Sequence, residues 1–376
     1  MTALLKEKKG CLLVEKNIYF EEEKTEVFKL GRTEFKVKRI GFGGMTIPEV
    51  SREEAIETIN KALDLGVNFI DTARAYGDSE EKIGYVMKNR KEECYLSSRS
   101  LRRDYKGMKQ DIEKSLKTLN TEYIDLYEPH DVSTAVAYER LLSENGALKA
   151  LKEAKSEGKI RCIGFTSHNW ELIKKLIQTD EFDAALVVYN VADRNAEKII
   201  PLAKEHNVGL FVMKVFGNSK LLEMTPIGEK RKLTVEECLR FALSNKNFPL
   251  ILTGAKSPEE IEENVSIAKS YIPLTDEEEK NLKEFGDKLG HGYCYGCNYC
   301  MPCPQEIDIP KIMQLLETGE RIDWHWPQLK EEYRKLKKTF DDCTDCEECE
   351  ERCPQNLPIR KRLKKAKENL GSGLQT

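Results

Sequence analysis

VNFIDTARAYGDS, residues 67–79, reads as the end of a buried strand running into a working loop. Val67–Ile70 is a short apolar run, the pattern of a strand covered on both faces. Asp71 stops it, and Tyr76 follows in a loop that contains Gly77. A strand that ends on a carboxylate, followed by a loop carrying a phenol, suits a site at the C-terminal mouth of a parallel barrel. The plainer reading of the same residues is a helix-capping Asp and a surface Tyr, so the stretch has to be weighed with its surroundings.

Outward from it, the chain repeats one pattern. Apolar runs at Ile40–Gly44, Asn68–Asp71, Cys94–Ser98, Ile124–Glu128, Cys162–Thr166, Ala184–Tyr189, Gly209–Met213 and Leu250–Thr253 predict strands. Amphipathic segments follow each one, near 51–65, 78–89, 107–119, 146–157, 170–178, 195–206, 233–245 and 257–269. Ser51 and Ser257, each followed by acids, are good helix starts. Eight strand–helix pairs over about 230 residues is the count for an α/β fold of the (β/α)8 TIM-barrel type. A doubly wound sheet is the alternative. GFGGM at 41–45 lacks the full spacing of a dinucleotide loop and reads more simply as the first strand and its exit.

The expected domains are an N-terminal extension at 1–39, a barrel at 40–270, and a linker plus a second domain at 271–376. In the extension, Leu12–Phe20 and Val27–Val37 alternate apolar positions, and Gly31-Arg-Thr-Glu reads as a hairpin turn. Its expected role is to plug the closed end of the barrel. After the linker helix around LTDEEEKNLKEF, helices are expected at 309–318, 328–338 and Pro358–Asn369, with a loop at Trp324–Pro327.

With 376 residues, 40% of them hydrophobic, there is material for a large core. A net charge of −4 gives no footprint for nucleic acid. No apolar run approaches the roughly 18 residues of a membrane span. MTALLKEKKG at the start has no signal-peptide core, so the expected location is cytoplasmic. Of twelve cysteines, Cys11, Cys94, Cys162 and Cys238 are scattered and read as buried small hydrophobes. The other eight fall in two tight groups, which in a cytosolic chain points to metal.

Positions just past the strand ends carry Met45, Asp71 with Tyr76, Arg99, His130, Ser167 with His168, Asn190, Lys214, and Gly254 to Lys256. The order Asp, Tyr, cation, His resembles the catalytic tetrad of the aldo/keto reductases. DTARAYGDSE at 71–80, YIDLYEPH before His130, IGFTSHN at 163–169, VVYN at 187–190 and PEEIEEN at 258–264 also resemble that family. The resemblance covers roughly residues 29–270. It implies Tyr76 as general acid, Arg99 and Asp71 as the pair that tunes it, and His130 as the group that orients the substrate. These residue types suit the chemistry, because carbonyl reduction builds negative charge on oxygen and needs a donor there. A free phenol, with a pKa near 10, needs a cation beside it to give up its proton.

One residue departs from the family pattern, because Arg99 stands where the family has Lys. Arg keeps the charge but is planar and does not lose its proton. The resemblance also implies NAD(P)H as cofactor. Gly44 and Met45 belong to its expected binding set, Ser167 and Asn190 face the carboxamide, Phe216 lies against the ring, and Lys256, Glu263 and Asn264 lie near the adenosine end. Glu260 sits where an Arg often grips a 2′-phosphate, while Lys256 favours that phosphate, so NADH and NADPH both stay open.

The second signal is Cys294-x2-Cys297-x2-Cys300-x2-Cys303-Pro304, followed by Cys343-x2-Cys346-x2-Cys349-x3-Cys353-Pro354. The later run is the bacterial ferredoxin spacing, in which three cysteines hold one [4Fe–4S] cluster and the fourth reaches the other. Zinc would show paired knuckles instead. The module resembles the all-α ferredoxin-like domains at the C-termini of some aldo/keto reductases, which implies two [4Fe–4S] clusters. Crossed ligation is expected: Cys294, Cys297 and Cys300 with Cys353, and Cys343, Cys346 and Cys349 with Cys303. The expected function is reduction of a small-molecule carbonyl, or oxidation of an alcohol, with neither nucleic acid nor membrane as partner. The alternatives are an electron-transfer subunit serving a redox partner protein, and a dinucleotide-binding sensor without turnover.

Overall fold

The eight apolar runs become strands that close on themselves. The computed structural model describes residues 26–226, 230–289, 294, 296, 298–321, 326–353 and 357–371. Cys11, Leu12–Phe20, most of the Glu21–Glu26 stretch, Cys297, Trp324 and the end of the chain lie outside the described residues. β1 (Phe28–Lys29) and β2 (Lys36–Val37) pair antiparallel, Phe28 opposite Val37. β3 (Ile40–Gly43), β4 (Phe69–Asp71), β5 (Tyr95–Ser100), β6 (Ile124–Pro129), β7 (Ile160–Thr166), β8 (Ala184–Val188), β9 (Gly209–Met213) and β10 (Ile251–Gly254) follow. They form a closed parallel barrel in chain order, with β10 returning to β3. This is the expected (β/α)8 architecture.

The hairpin covers the N-terminal end of the barrel. Leu30, Phe35 and Val37 pack onto inward residues Phe69, Leu126, Leu186, Phe211 and Leu252. Two glycines let it approach: Gly31 has φ +54°, and a Cβ there would lie 2.1 Å from the Gly209 nitrogen. With that end plugged, the C-terminal mouth is the end left for a site.

Helices wrap the outside, their apolar faces meeting the strands in one continuous core. Ser51 caps the helix Arg52–Asp64 in a reciprocal box with Glu54. A helix at Ala135–Leu142, capped by Thr134, was not expected and sits in the loop after β6. The helix Asp276–Leu289 is packed rather than loose, since Leu282, Phe285 and Leu289 join the barrel core. A Cβ on its Gly286 would lie 2.1 Å from the Val191 carbonyl oxygen.

The C-terminal module has its own core, with Ile307, Ile312, Leu316, Tyr333 and Leu363 around Cys300 and Cys349. Its main helices are Ile309–Arg321, Trp326–Arg334 and Ile359–Ala366. Trp326, expected in a loop, instead opens a helix. The basic last helix is paired internally: Arg360 to Glu347 at 2.8 Å and Glu350 at 2.9 Å, Arg362 to Glu317 at 3.0 Å. Among the described residues, no helix is long and apolar enough to cross a membrane.

Candidate active site

The register of the barrel sets three charged residues side by side. Asp71 ends β4, opposite Gly43 on β3 and Ser97 on β5, and Arg99 on β5 lies opposite Glu128 on β6. Arg99 is 1% exposed and heads the largest fully buried side chains among the described residues. Its Nη2 pairs with Asp71 Oδ2, its Nη1 lies 3.3 Å from Glu128 Oε2, and its Nε donates to the Thr72 carbonyl at 3.2 Å. The guanidinium carbon is 5.6 Å from the Tyr76 ring centre.

One cation thus faces two buried carboxyl groups. Burial raises Asp71 to about 6 against the pull of Arg99. Burial raises Glu128 to about 8, with Arg99 opposing and Asp71 adding to the rise. The physical reading is that Asp71 holds the charge and Glu128 holds a proton near neutrality, because two like charges cannot both be stabilised by one guanidinium. Arg99 itself is held charged, burial being outweighed by Asp71, Tyr76 and Glu128.

Tyr76 sits on a loop tied down from below. The Ser79 hydroxyl donates to the Gly44 carbonyl at 2.8 Å and lies 2.8 Å from the Thr72 hydroxyl, and Gly77 takes φ +47° to make the turn. Burial raises the Tyr76 phenol above its ordinary value, and Arg99 pulls the other way. His130, 3% exposed, meets the Tyr76 ring edge-on at 5.8 Å. Burial, then Arg99, Arg103 and Lys214, hold its imidazole well below the ordinary value, so it is neutral. The structure therefore brings Asp71, Tyr76, Arg99 and His130 together at one mouth.

They line a cavity of about 1060 Å³, with Met45, Phe216 and Lys256 also on its wall. Five other residues expected at the cofactor do not line it. The Ser167 hydroxyl donates to the Val132 carbonyl at 2.8 Å and accepts from the Asn169 backbone at 3.1 Å. Asn190 donates to the Lys214 carbonyl at 2.9 Å and accepts from Ala192 and Asp193 backbone at 2.9 and 2.8 Å. Gly44 is buried beneath the Tyr76 loop, Asn264 is buried in its helix, and Glu263 is exposed. Elsewhere on the wall, Lys256 pairs with Glu49 at 2.6 Å, and Glu260 accepts from the Lys256 backbone at 2.8 Å. A cavity of this size, lined by both a phenol and a cation, fits a dinucleotide.

In the module, Cys303, Cys343, Cys346 and Cys349 line one small cavity. Cys353 lines the large cavity beside Gly296 and Tyr299, and the Gly296 backbone donates to Cys294 Sγ at 3.3 Å. No group of His, Cys, Asp or Glu among the described residues closes around a single ion. Four sulfurs around a cavity, one from the first run and three from the second, fit a cubane whose irons stand at separate corners.

A sequence model of the aldo/keto reductase family matches residues 39–287. The chain belongs to the aldo/keto reductase family. A model of the 4Fe-4S dicluster domain matches residues 293–357. The Bacillus subtilis oxidoreductase YqkF is 27% identical over 297 residues, covering 68% of this chain and 94% of that protein. The Escherichia coli NADH-specific methylglyoxal reductase is 26% identical over 324 residues, covering 69% and 98%. A holo aldo-keto reductase from Bacillus halodurans superposes with a TM-score of 0.59 at 25% identity, over 69% of this chain and 96% of that one.

Two residues of this reductase site escaped the sequence. Glu128 lies in the string YIDLYEPH, two residues before His130 on the same strand face; that spacing was the available signal. Tyr299 lies between Cys297 and Cys300, yet its phenol is 2.9 Å from His130 Nε2. Nothing local to Tyr299 announced that contact.

Proposed function

We propose that this reductase transfers hydride between a nicotinamide dinucleotide and a small carbonyl or alcohol, with Tyr76 as general acid. The observation that carries this reading is the Arg99 guanidinium, paired with Asp71 and 5.6 Å from the Tyr76 ring. The nicotinamide, when bound, supplies the hydride. The chain supplies the proton and the field. Tyr76 meets the substrate protonated, because burial holds its phenol up. As charge builds on the substrate oxygen, the proton moves from Tyr76 to that oxygen and Arg99 stabilises the phenolate left behind. Asp71 keeps Arg99 in place, and neutral His130 offers a hydrogen bond without adding charge.

Met45, Phe216 and Lys256 would hold the dinucleotide along the cavity, with Gly44, Ser167, Asn190, Glu263 and Asn264 supporting that wall. Lys256 already pairs with Glu49, and Glu260 faces the same corner. A 2′-phosphate there meets two carboxylates and a committed cation, so we read the site as favouring NADH. We also propose two [4Fe–4S] clusters with crossed ligands, neither obligatory for hydride transfer, since hydride moves two electrons at once. A second reading, single-electron exchange between module and barrel, is favoured by Cys353 standing on the wall of the substrate cavity.

Three relatives are named as methylglyoxal reductases, so methylglyoxal is the first probe. Anaerobically purified protein is mixed with it and each nicotinamide in turn, followed by a wider carbonyl panel. Substrate-dependent NADH oxidation supports the proposal. Dinucleotide binding with no turnover on any carbonyl would refute it in favour of the sensor reading.

A further inference from the structure

Resting on that reading, we propose that Asp131 and His168 clasp the carboxamide of the nicotinamide, Asp131 accepting from its amino group and His168 donating to its carbonyl. The two residues expected to do this are committed elsewhere: Ser167 is bonded to Val132 and Asn169, and Asn190 to Lys214, Ala192 and Asp193. Hydride leaves C4 of the nicotinamide, and the carboxamide hangs from the adjacent ring carbon. A carbonyl held by Tyr76 and His130 therefore brings the carboxamide close to His130. Asp131 directly follows His130 in the chain. The His168 ring centre is 5.8 Å from that of Tyr299, which is 6.0 Å from that of His130. Asp131, His168 and His130 all line the large cavity.

Asp131 is held at φ +58°, a left-handed conformation that Asp and Asn tolerate better than most residues. Its backbone N–H donates to Thr166 Oγ1 at 2.7 Å, Arg103 Nη2 donates to its carbonyl at 2.9 Å, and the Ser133 hydroxyl donates to its Oδ1. The Ser133 oxygen also accepts from the His168 backbone at 2.8 Å, so one hydroxyl ties the two residues together. Among the described residues nothing bonds Asp131 Oδ2 or the His168 ring, although His168 is only 8% exposed. A strained backbone that presents an unbonded carboxylate oxygen to a cavity marks a binding residue rather than a structural one. Burial raises the Asp131 carboxyl, while Ser133, Arg103 and Lys214 pull it back toward the charged form. An amide N–H on Oδ2 adds to that pull. Burial, then Lys214 and His130, hold the His168 imidazole well below its ordinary value, so it is neutral and keeps one N–H to donate. A carboxamide offers a donor and an acceptor in one rigid plane, the complement of this pair.

The test is anaerobic titration calorimetry of the full chain, with its clusters, against NADH and against its reduced 3-acetylpyridine analogue, in which a methyl group replaces the amide nitrogen. Wild type should bind NADH about tenfold or more tighter than the analogue, since only NADH gives Asp131 a donor. In Asp131→Asn the Ser133 bond fixes the amide oxygen and turns the NH2 toward the ligand, donor against donor. Its NADH affinity should fall by about tenfold or more and its analogue affinity by less than about twofold. His168→Phe should weaken both alike, because both ligands keep the carbonyl. Equal wild-type affinity for the two ligands overturns the proposal, and so does an Asp131→Asn loss shared by both. So does an Asp131→Asn variant that keeps both affinities and loses kcat/KM only on hydroxylated aldehydes such as glycolaldehyde, which would make the pair a substrate subsite. If Asp131→Asn fails to fold or to keep its clusters, the wild-type comparison and His168→Phe decide. Wild type that binds neither dinucleotide removes the reductase reading, whereas NADH turnover without discrimination between the two ligands removes only this one.

Discussion

Arg99→Lys isolates what the guanidinium does. Arg99 reaches Asp71, Glu128 and the Thr72 carbonyl from three different nitrogens. A lysine has one nitrogen on a flexible stem and cannot serve all three. If it keeps Asp71, the bonds to Glu128 and Thr72 are lost. A hydrogen bond to a charged group is worth about 1.5–3 kcal/mol and a neutral one about 1 kcal/mol. Glu128, raised to about 8 by burial, is largely protonated at neutral pH, but both lost bonds come from a charged guanidinium, so each counts as the stronger kind. The expected loss of stability is then about 3 kcal/mol at neutral pH, the low end for two such bonds. Above pH 8, where Glu128 ionises beside Arg99 in the wild type but stays protonated in the variant, the loss should climb toward about 5 kcal/mol. Urea midpoints at neutral and alkaline pH read both values. In the Glu128→Gln background the cost of Arg99→Lys should be the same at the two pH values. Carbonyl reduction should stay within about tenfold of wild type, since a cation still faces Tyr76. A loss of activity beyond about a hundredfold with dinucleotide binding intact would refute the tuning role and assign Arg99 to a bidentate grip on a substrate anion.

The wild-type protein should itself lose stability as pH rises from the ordinary carboxylate range toward 8. Burial raises Asp71 to about 6 and Glu128 to about 8, so the folded state keeps protons the unfolded chain has released; melting temperatures across that range should show most of the slope removed by Glu128→Gln. Cys353→Ala should lose the cluster nearest the cavity and Cys303→Ser the other, read by iron content and electron paramagnetic resonance; loss of the same cluster from both variants would contradict crossed ligation. Combining Glu49→Gln with Glu260→Arg should shift preference from NADH toward NADPH, because it frees Lys256 and adds a second cation, and the ratio of kcat/KM values for the two cofactors checks it.

Local patterns announced the barrel because each strand is buried on both faces and each helix on one. The eight apolar runs fell on β3 to β10 with ends shifted by a residue or two, and the carboxylate, phenol, cation and imidazole fell where strands end. What depends on closure was harder. Glu128 acts on Arg99 only once β5 and β6 are in register, and Tyr299 reaches His130 only once the module folds back. Ser167 and Asn190 were legible as positions but not as orientations. Their side chains order the loops after β7 and β8, a competition between loop and ligand that a motif does not record. Trp326 joined a helix because Ile309–Arg321 and Trp326–Arg334 pack as a pair, with Leu329 and Tyr333 in the module core.

The central claim is that Tyr76 gives the proton while the dinucleotide binds independently of it. It is tested most directly by Tyr76→Phe, purified anaerobically beside wild type, with dinucleotide affinity measured by fluorescence and carbonyl reduction by nicotinamide absorbance. The account predicts a loss of about a hundredfold or more in kcat, the scale of a missing general acid, with affinity changed by less than about twofold because the phenol acts on charge that develops only in the transition state. Reduction at the wild-type rate by Tyr76→Phe would contradict it.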